Sequence, residues 1–296
     1  MKIAYFGLPL GALLLAADGH ELLVTVLSPI EAPGRRRLLG LGVDVCDALG
    51  ADQPLEPEIE RRVAAATPDL LVSWFWTRRL PERWLNAPRL GAIGVHPSLL
   101  PRHRGPNPYF WTIDSGDELA GVTVHRLRAE YDTGAMLARA SIPVAERNSW
   151  QLARALDRPA LAELRAVVSS MARGESLTET LQDDAAATWA PEPTGELLRV
   201  DFGWTTERVL RRIRALAPTP GLALEVLGVP LFVTRAEPAG DYVEALLPGE
   251  ADLRTALALR TGDGAVRVSS AYFPDSDATE TTSEGVLARL RNDAQP

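Results

Sequence analysis

Four apolar runs set the frame for this chain. KIAYFGL, ELLVTVLSP, LLVSWFW and GAIGVH all fall within residues 1–96, and stretches of helical character lie between them. PLGALLLAADGH reads as a helix closed near Gly19, and PEIERRVAAATPDL and PERWLNAPRL read as two more. Strands that alternate with helices bury their faces best in a parallel sheet, because each helix serves as a crossover. The expectation is an α/β fold with a mainly parallel sheet. AGVTVHRL, which alternates, adds a further strand. No G-x-G-x-x-G follows the first run, which argues against a dinucleotide site. The basic segment IEAPGRRRLLG reads as a solvated loop, with contact to an acidic substrate as the second reading.

Past residue 148 the pattern changes. SWQLARALDRPALAELRAVVSSMARG is expected to be helical, capped by Ser149, broken or kinked at Pro159 and stopped at Gly174. WAPEPTGELL holds two prolines and a glycine, so the domain boundary is placed there, giving residues 1–190 and 191–296. TTERVLRRIRAL then predicts an amphipathic helix with a solvated basic side. GLALEVLG, PLFVTRAEP, YVEALLP and AVRVSSAYF follow as short strands punctuated by turns, the pattern of a small β-barrel. The closing DSDATETTSEGVLARLRNDAQP is expected to fray.

A net charge of −8 and a pI near 5.2 offer no general electrostatic grip on nucleic acid or anionic lipid. Cys46 is the only cysteine, which excludes an internal disulfide and a cysteine-based zinc cluster; no metal is expected. A lone thiol suits a reducing compartment, and no apolar run reaches membrane-spanning length. The N-terminal segment reads as a strand and helix rather than a leader. The expectation is a cytoplasmic protein.

The chemistry gathers at the end of the fourth run. His96 opens HPSLLPRHRG, and ligands of open α/β sheets gather outside the carboxyl ends of strands. A histidine exchanges protons near neutrality, its ordinary pKa being about 6.5. Pro97 and Pro101 stiffen the loop and Gly105 lets it turn. Taken alone, one histidine in a loop reads as structural at least as readily as catalytic. His20, His103 and His125 lack such surroundings and are read as structural, and Trp74, Phe75 and Trp76 as core.

HPSLLPRHRG, with YDTGAMLA some thirty residues later, resembles the signature of the folate-dependent formyltransferases. The similarity runs from KIAYFG through QDDAAATWAPEP into DFGWTTERVLRRIRALAPTPG and RTGDGAVRV, and so covers most of the chain. The resemblance implies a Rossmann-like domain that binds 10-formyltetrahydrofolate, followed by a smaller OB-like domain. It implies attack of an acceptor amine on the formyl carbon, served by an asparagine, a histidine and an aspartate. The histidine maps onto His96 and the aspartate onto Asp132, while the asparagine position is occupied by Gly94. Loss of one oxyanion donor typically costs ~10²–10³ in rate. A water beside Gly94, a backbone N–H or Asn107 are the candidate substitutes. The resemblance also places the pterin against Arg78, Arg79 and Leu80 of TRRLP, and against Leu127, Arg128, Ala129, Glu130 and Tyr131. Ser98 and Asn107 are candidates for the acceptor side.

The acceptor is read from two features. The signature continues as RGPNPYFW, which looks more like the small-molecule branches than the R-G-A-A-P-I-Q common in enzymes acting on methionyl-tRNA. Residues 195–296 hold eleven arginines and fifteen acidic residues, whereas a tRNA-holding domain needs cationic surface. A small-molecule amine, an amino sugar or another metabolite, is the leading acceptor and tRNA the alternative. A non-catalytic folate-binding protein is the third reading, motivated by Gly94. The oligomeric state is not legible.

Overall fold

The computed structural model describes residues 1–29, 32–48, 56–76, 78–275 and 279–293. Its contacts divide into two units. The first comprises Met1–Pro106, Gly121–Ile142 and Ala155–Trp189; the second comprises Asn107–Ala120, Pro143–Arg154 and Ala190–Pro296. Two N-terminal segments thus belong with the C-terminal part, an arrangement that a search for linear linkers does not reveal.

The first unit is organised by a seven-stranded sheet. Its strands are β1 (Lys2–Gly7), β2 (Glu21–Leu27), β3 (Val45–Asp47), β4 (Leu70–Trp74), β5 (Ala92–His96), β6 (Leu119–Arg126) and β7 (Met136–Pro143), in the order β3-β2-β1-β4-β5-β6-β7. Pairing is parallel from β3 to β5 and turns antiparallel at β5–β6. Helices α1 (Pro9–Ala17), α2 (Arg35–Gly40), α3 (Pro57–Ala65) and α4 (Glu82–Asn86) provide the intervening segments. Phe6, Val24, Val26 and Leu71 form a core with Ile59 and Val63 of α3 and Trp84 of α4. A Cβ on Gly7 would lie 1.8 Å from the Trp74 carbonyl oxygen, so only glycine permits the close approach of β1 and β4 there.

Several expectations need correction. RRRLLG forms α2 rather than a loop, and Arg35 bonds the Asp47 carboxylate at the end of β3; Ile30 and Glu31 lie outside the described residues. MLARASIP, assigned no structure from sequence, is β7. Helix α5 (Pro108–Asp114) precedes β6. Helix α6 (Ser149–Ala172) runs unbroken through Pro159, with Leu152, Leu156, Leu161 and Leu164 buried on either side of it. Packing on both flanks offsets the lost backbone donor. The cap is Asn148, whose Oδ1 accepts from the Gln151 N–H while Gln151 Oε1 accepts from the Asn148 N–H. Ser149 instead donates to the Ala215 carbonyl. Gly174, at φ +72°, follows the helix.

The second unit contains α7 (Thr206–Leu216) and the strands β8 (Leu222–Val226), β9 (Val229–Pro238), β10 (Ala251–Asp252), β11 (Ala258–Arg260), β12 (Ala265–Tyr272) and β13 (Thr281–Thr282). They make an antiparallel sheet in the order β10-β11-β12-β9-β8, with β13 on β12. YVEALLP, expected as a strand, forms turns; the short β10 and β11 follow it. The tail does not fray throughout, because α8 (Ser283–Asp293) buries Val286 and Leu290; residues 276–278 and 294–296 lie outside the described residues.

The basic side of α7 is not solvated as expected. Arg212 is 3% exposed and grips Asp114 of α5 with two bonds, Nε to Oδ1 at 2.6 Å and Nη2 to Oδ2 at 3.0 Å. Arg208 reaches the same carboxylate at 3.2 Å, and Arg211 and Arg214 pair with Glu207 and Glu146. Buried charges require such partners because desolvation is expensive.

Candidate active site

His96 ends β5, and the register sets its neighbours. Gly94 faces His125 across the antiparallel β5–β6 pair, and His96 faces Thr123. Side chains alternate along a strand, so positions 94 and 96 share one face. The loop after β5 is held by its own polar groups. Ser98 Oγ donates to the Arg102 carbonyl at 2.6 Å, and Thr123 Oγ1 donates to the Ser98 carbonyl at 2.7 Å. Ser98, a candidate for the acceptor side, is 2% exposed and its hydroxyl closes this loop.

That closure brings a backbone carbonyl to the catalytic candidate. His96 Nε2 lies 2.7 Å from the His103 carbonyl oxygen, which accepts its N–H. His103 has a φ of +59°, unusual for a residue with a Cβ, and its N–H donates to Thr188 Oγ1 at 2.8 Å. With Nε2 so committed, His96 presents Nδ1 to Asp132, 3.5 Å from Oδ2. The gap exceeds an ordinary N–H···O bond, so Nδ1, when it carries a proton, can donate it elsewhere.

Asp132 sits at φ +58°, a left-handed conformation that aspartate tolerates better than most residues. Its Oδ2 accepts the Gly105 N–H at 2.9 Å. Gly134 explains the glycine of the YDTG stretch. A Cβ there would lie 1.8 Å from the Arg126 carbonyl oxygen, so the turn packs against β6 only without a side chain. Gln182 fastens the turn from outside, donating through Nε2 to the carbonyls of Asp132 and Gly134 at 2.8 and 2.7 Å. Its Oε1 accepts from Arg104 Nε at 3.0 Å and Nη2 at 2.8 Å.

His125, read from sequence as structural, belongs to the same cluster. Its Nε2 lies 3.6 Å from Asp132 Oδ1, and its Nδ1–H donates to the Arg126 carbonyl at 2.9 Å. Burial pushes its pKa from 6.5 down to about 4. Asp132 and the Arg126 carbonyl oppose the fall, while His96 and Arg104 reinforce it. The ring is therefore neutral at pH 7. The carboxylate of Asp132 is thus flanked by two imidazoles, each tethered by its other nitrogen to a backbone carbonyl.

The space beside Gly94 is filled by protein. A Cβ built at that position would lie 2.6 Å from Leu127 Cδ2 and 3.6 Å from His125 Nε2. The expectation of a water there gives way to the Leu127 side chain, which packs against the sheet core. Asn107, another of the suggested substitutes, is committed elsewhere. Its Oδ1 caps α5 by accepting the Phe110 N–H, and its Nδ2 donates to Glu192 Oε2 at 2.8 Å.

The two loops expected to hold the pterin touch each other. The Arg79 guanidinium lies 5.1 Å from the Tyr131 ring centroid, and Leu80 and Leu127 both pack against the sheet core. Arg78 is buried, 5.9 Å from the Trp76 ring centroid and 4.0 Å from Glu56. Trp76 Nε1 is buried without a hydrogen-bond acceptor among the described residues, a donor immediately before this loop. Arg128, Ala129 and Glu130 are exposed; Thr77, which opens TRRLP, lies outside the described residues.

The chain belongs to the formyltransferase family. The profile described as formyl transferase matches residues 26–168, and that of the formyl transferase C-terminal domain matches residues 194–283. A methionyl-tRNA formyltransferase of Thiobacillus denitrificans is 32% identical over 262 residues, covering 86% of this chain and 82% of that protein. One of Pseudomonas paraeruginosa is 32% identical over 93% of this chain and 92% of its own length. Among solved structures, HypX from Aquifex aeolicus in complex with tetrahydrofolic acid superposes with a TM-score of 0.68 at 23% identity. That match covers 98% of this chain but 47% of HypX, so this chain spans about half of that protein. WlaRD, a sugar 3N-formyl transferase solved with dTDP and 5-N-formyl-THF, also gives 0.68, at 13% identity over 93% of this chain and 98% of WlaRD.

Sequence reasoning missed His125, Gln182 and Arg104 and the His103 carbonyl. QDDAAATWAPEP, already part of the resemblance, begins with Gln182, and the register of AGVTVHRL against GAIGVH was the available signal for His125.

Proposed function

We propose that the chain transfers the formyl group of 10-formyltetrahydrofolate to the amine of a small molecule, with His96 and Asp132 as the working pair. The donor, when bound, supplies an activated formyl group. The chain supplies the rest. The His103 carbonyl fixes the His96 ring, so that Nδ1 is the nitrogen able to donate to the oxygen that gains charge at the formyl carbon. Asp132 balances a proton held at that nitrogen and receives the proton lost by the attacking amine; as the bond from the formyl carbon to the donor nitrogen breaks, that nitrogen takes up a proton in turn and tetrahydrofolate leaves. Neutral His125 holds Asp132 from the other side without adding charge. Leu127 in place of a second donor leaves stabilisation resting on His96, with a correspondingly lower rate.

The donor reading draws support from Trp76 Nε1, a buried donor without an acceptor among the described residues, beside loops joined through Arg79 and Tyr131. Arg78, Leu80 and residues 127–130 complete the proposed pterin clamp. The first unit is then the catalytic part and residues 191–296 an OB-like domain. The chain acts in the cytoplasm on this reading; among the described residues no helix is long and apolar enough to cross a membrane.

The observation that carries the reading is the pinned His96 facing Asp132 at 3.5 Å. Incubation with 10-formyltetrahydrofolate and a panel of amines, read by tetrahydrofolate release, tests it. Release with at least one amine, lost in His96→Ala, is expected; equal background rates for both proteins would reject it.

A second reading, with methionyl-tRNA as the acceptor, is favoured by the names of the curated relatives. Arg36 and Arg37 on α2 are exposed and have no carboxylate partner among the described residues. Against it, Arg208, Arg211, Arg212 and Arg214 are spent on carboxylates of the protein itself. Steeply salt-dependent binding of charged tRNA would favour the tRNA reading.

A further inference from the structure

The second unit contains a cavity of about 420 Å³, and every residue lining it belongs to that unit. The volume lies in the range of small-molecule sites. Its walls are the aromatic side chains of Tyr109 and Trp150, the apolar Leu198, Leu216 and Pro220, and the carboxylate of Glu192. No lysine, arginine or histidine is among the described residues that line it.

Its polar groups are unevenly spent. Ser149, in the wall, donates its hydroxyl to the Ala215 carbonyl. Glu192 Oε2 accepts from Asn107 Nδ2 at 2.8 Å, and no cation pairs with this carboxylate among the described residues. The bond to Asn107 ties the carboxylate to the start of α5 and restricts its rotation. Trp150 is 60% exposed. The Arg154 guanidinium lies 6.0 Å from its ring centroid.

We propose that this cavity binds an organic ammonium ion carrying an apolar or aromatic body. A carboxylate without a countercharge attracts a cation and repels an anion, and aromatic faces add attraction for the same sign. Apolar walls favour a hydrocarbon portion over a sugar or a phosphate. A nucleoside diphosphate would find no cation among these walls and a carboxylate against it. The choice of ligand rests on the walls of the cavity, the carboxylate of Glu192 and the apolar and aromatic side chains around it, and stands apart from the formyl-transfer reading.

Calorimetry with 2-phenylethylammonium, 2-phenylethanol and phenylacetate separates charge from shape, since the three share a ring and a similar length. The ammonium ion is expected to bind most tightly and phenylacetate not at all. Glu192→Gln should weaken the ammonium ion by about tenfold, the size of one charged hydrogen bond in a partly open site, and leave 2-phenylethanol unchanged. Trp150→Ala should weaken both. Equal affinity for all three probes, or an ammonium affinity indifferent to Glu192→Gln, would overturn the proposal. Tetrahydrofolate release, followed on the same proteins, keeps the two readings apart. Cation binding that depends on Glu192, with no release from any amine, leaves the cavity standing and sinks the reaction.

Discussion

His96 Nε2 donates to the His103 carbonyl at 2.7 Å, which leaves the opposite edge of the ring facing Asp132 at 3.5 Å. A side chain held this way has one tautomer in its neutral form, with the proton on Nε2. Any second proton must sit on Nδ1, beside the carboxylate. The pair is therefore arranged to gain and lose one proton at one defined atom.

That arrangement predicts a contrast between two variants. Asp132→Asn keeps an oxygen for the Gly105 N–H but removes the negative charge beside Nδ1. Formyl transfer should fall by ~10²–10⁴, the usual worth of a positioned acid or base. Asp132→Ala should lose the Gly105 bond as well and melt at a lower temperature. Steady-state rates, set against thermal melts of both variants, check this; an unchanged rate in Asp132→Asn would remove the carboxylate from the mechanism.

His125 makes a prediction about stability. Its folded pKa lies near 4, below the ordinary 6.5, so between these values the unfolded chain binds a proton that the folded chain does not. Stability therefore falls as pH drops from about 6.5 towards about 4 and is unaffected by this group above that window, with a slope of up to ~1.4 kcal/mol per pH unit. Urea unfolding at closely spaced pH values should give a shallower slope for His125→Gln than for the natural chain. Equal slopes would mean that another group carries the acid sensitivity.

Gly94→Asn should not restore a donor by itself, because Leu127 Cδ2 occupies the space at 2.6 Å from the added Cβ. The expected result is lower activity and a loss of ~1–3 kcal/mol in stability from overpacking. Combined with Leu127→Ala, the amide gains room, and activity on the right acceptor should rise by up to ~10²-fold over the natural chain. Comparison of the two single variants with the double variant decides it. Additive effects would refute the idea that residues 94 and 127 exchange one volume.

Gln182 positions the reacting groups without touching them. Gln182→Ala removes its bonds to the carbonyls of Asp132 and Gly134 and its contact with Arg104. A fall in kcat of about tenfold or more, with KM for the donor little changed, is expected. A change in donor KM alone would mark it as part of the folate clamp instead.

These residues also show what the sequence carries by itself. His96 and Asp132 stand in short local motifs whose prolines and glycines have local reasons, including the impossible Cβ at Gly134. Four of the five parallel strands were legible because each is a compact apolar run; β3, three residues long, was not. His125 was not, since its partner is chosen by the antiparallel register that sets it opposite Gly94. Arg212 misled for a similar reason. A charged residue on a helix reads as solvated until the fold supplies Asp114, nearly a hundred positions away, to meet it. Pro159 was read by its local penalty, and the buried leucines around it outweigh that penalty.

The segment containing Gln182 bears on how the protein is made. Thr180 bridges to Met136, Thr188 holds the backbone of His103 and Arg104, and Gln182 latches the turn at Asp132. A ribosome releases His96 and Asp132 long before it releases these residues. Until they emerge, the nascent chain carries both motif residues without the struts that align them, and the site is completed only as synthesis passes beyond residue 188.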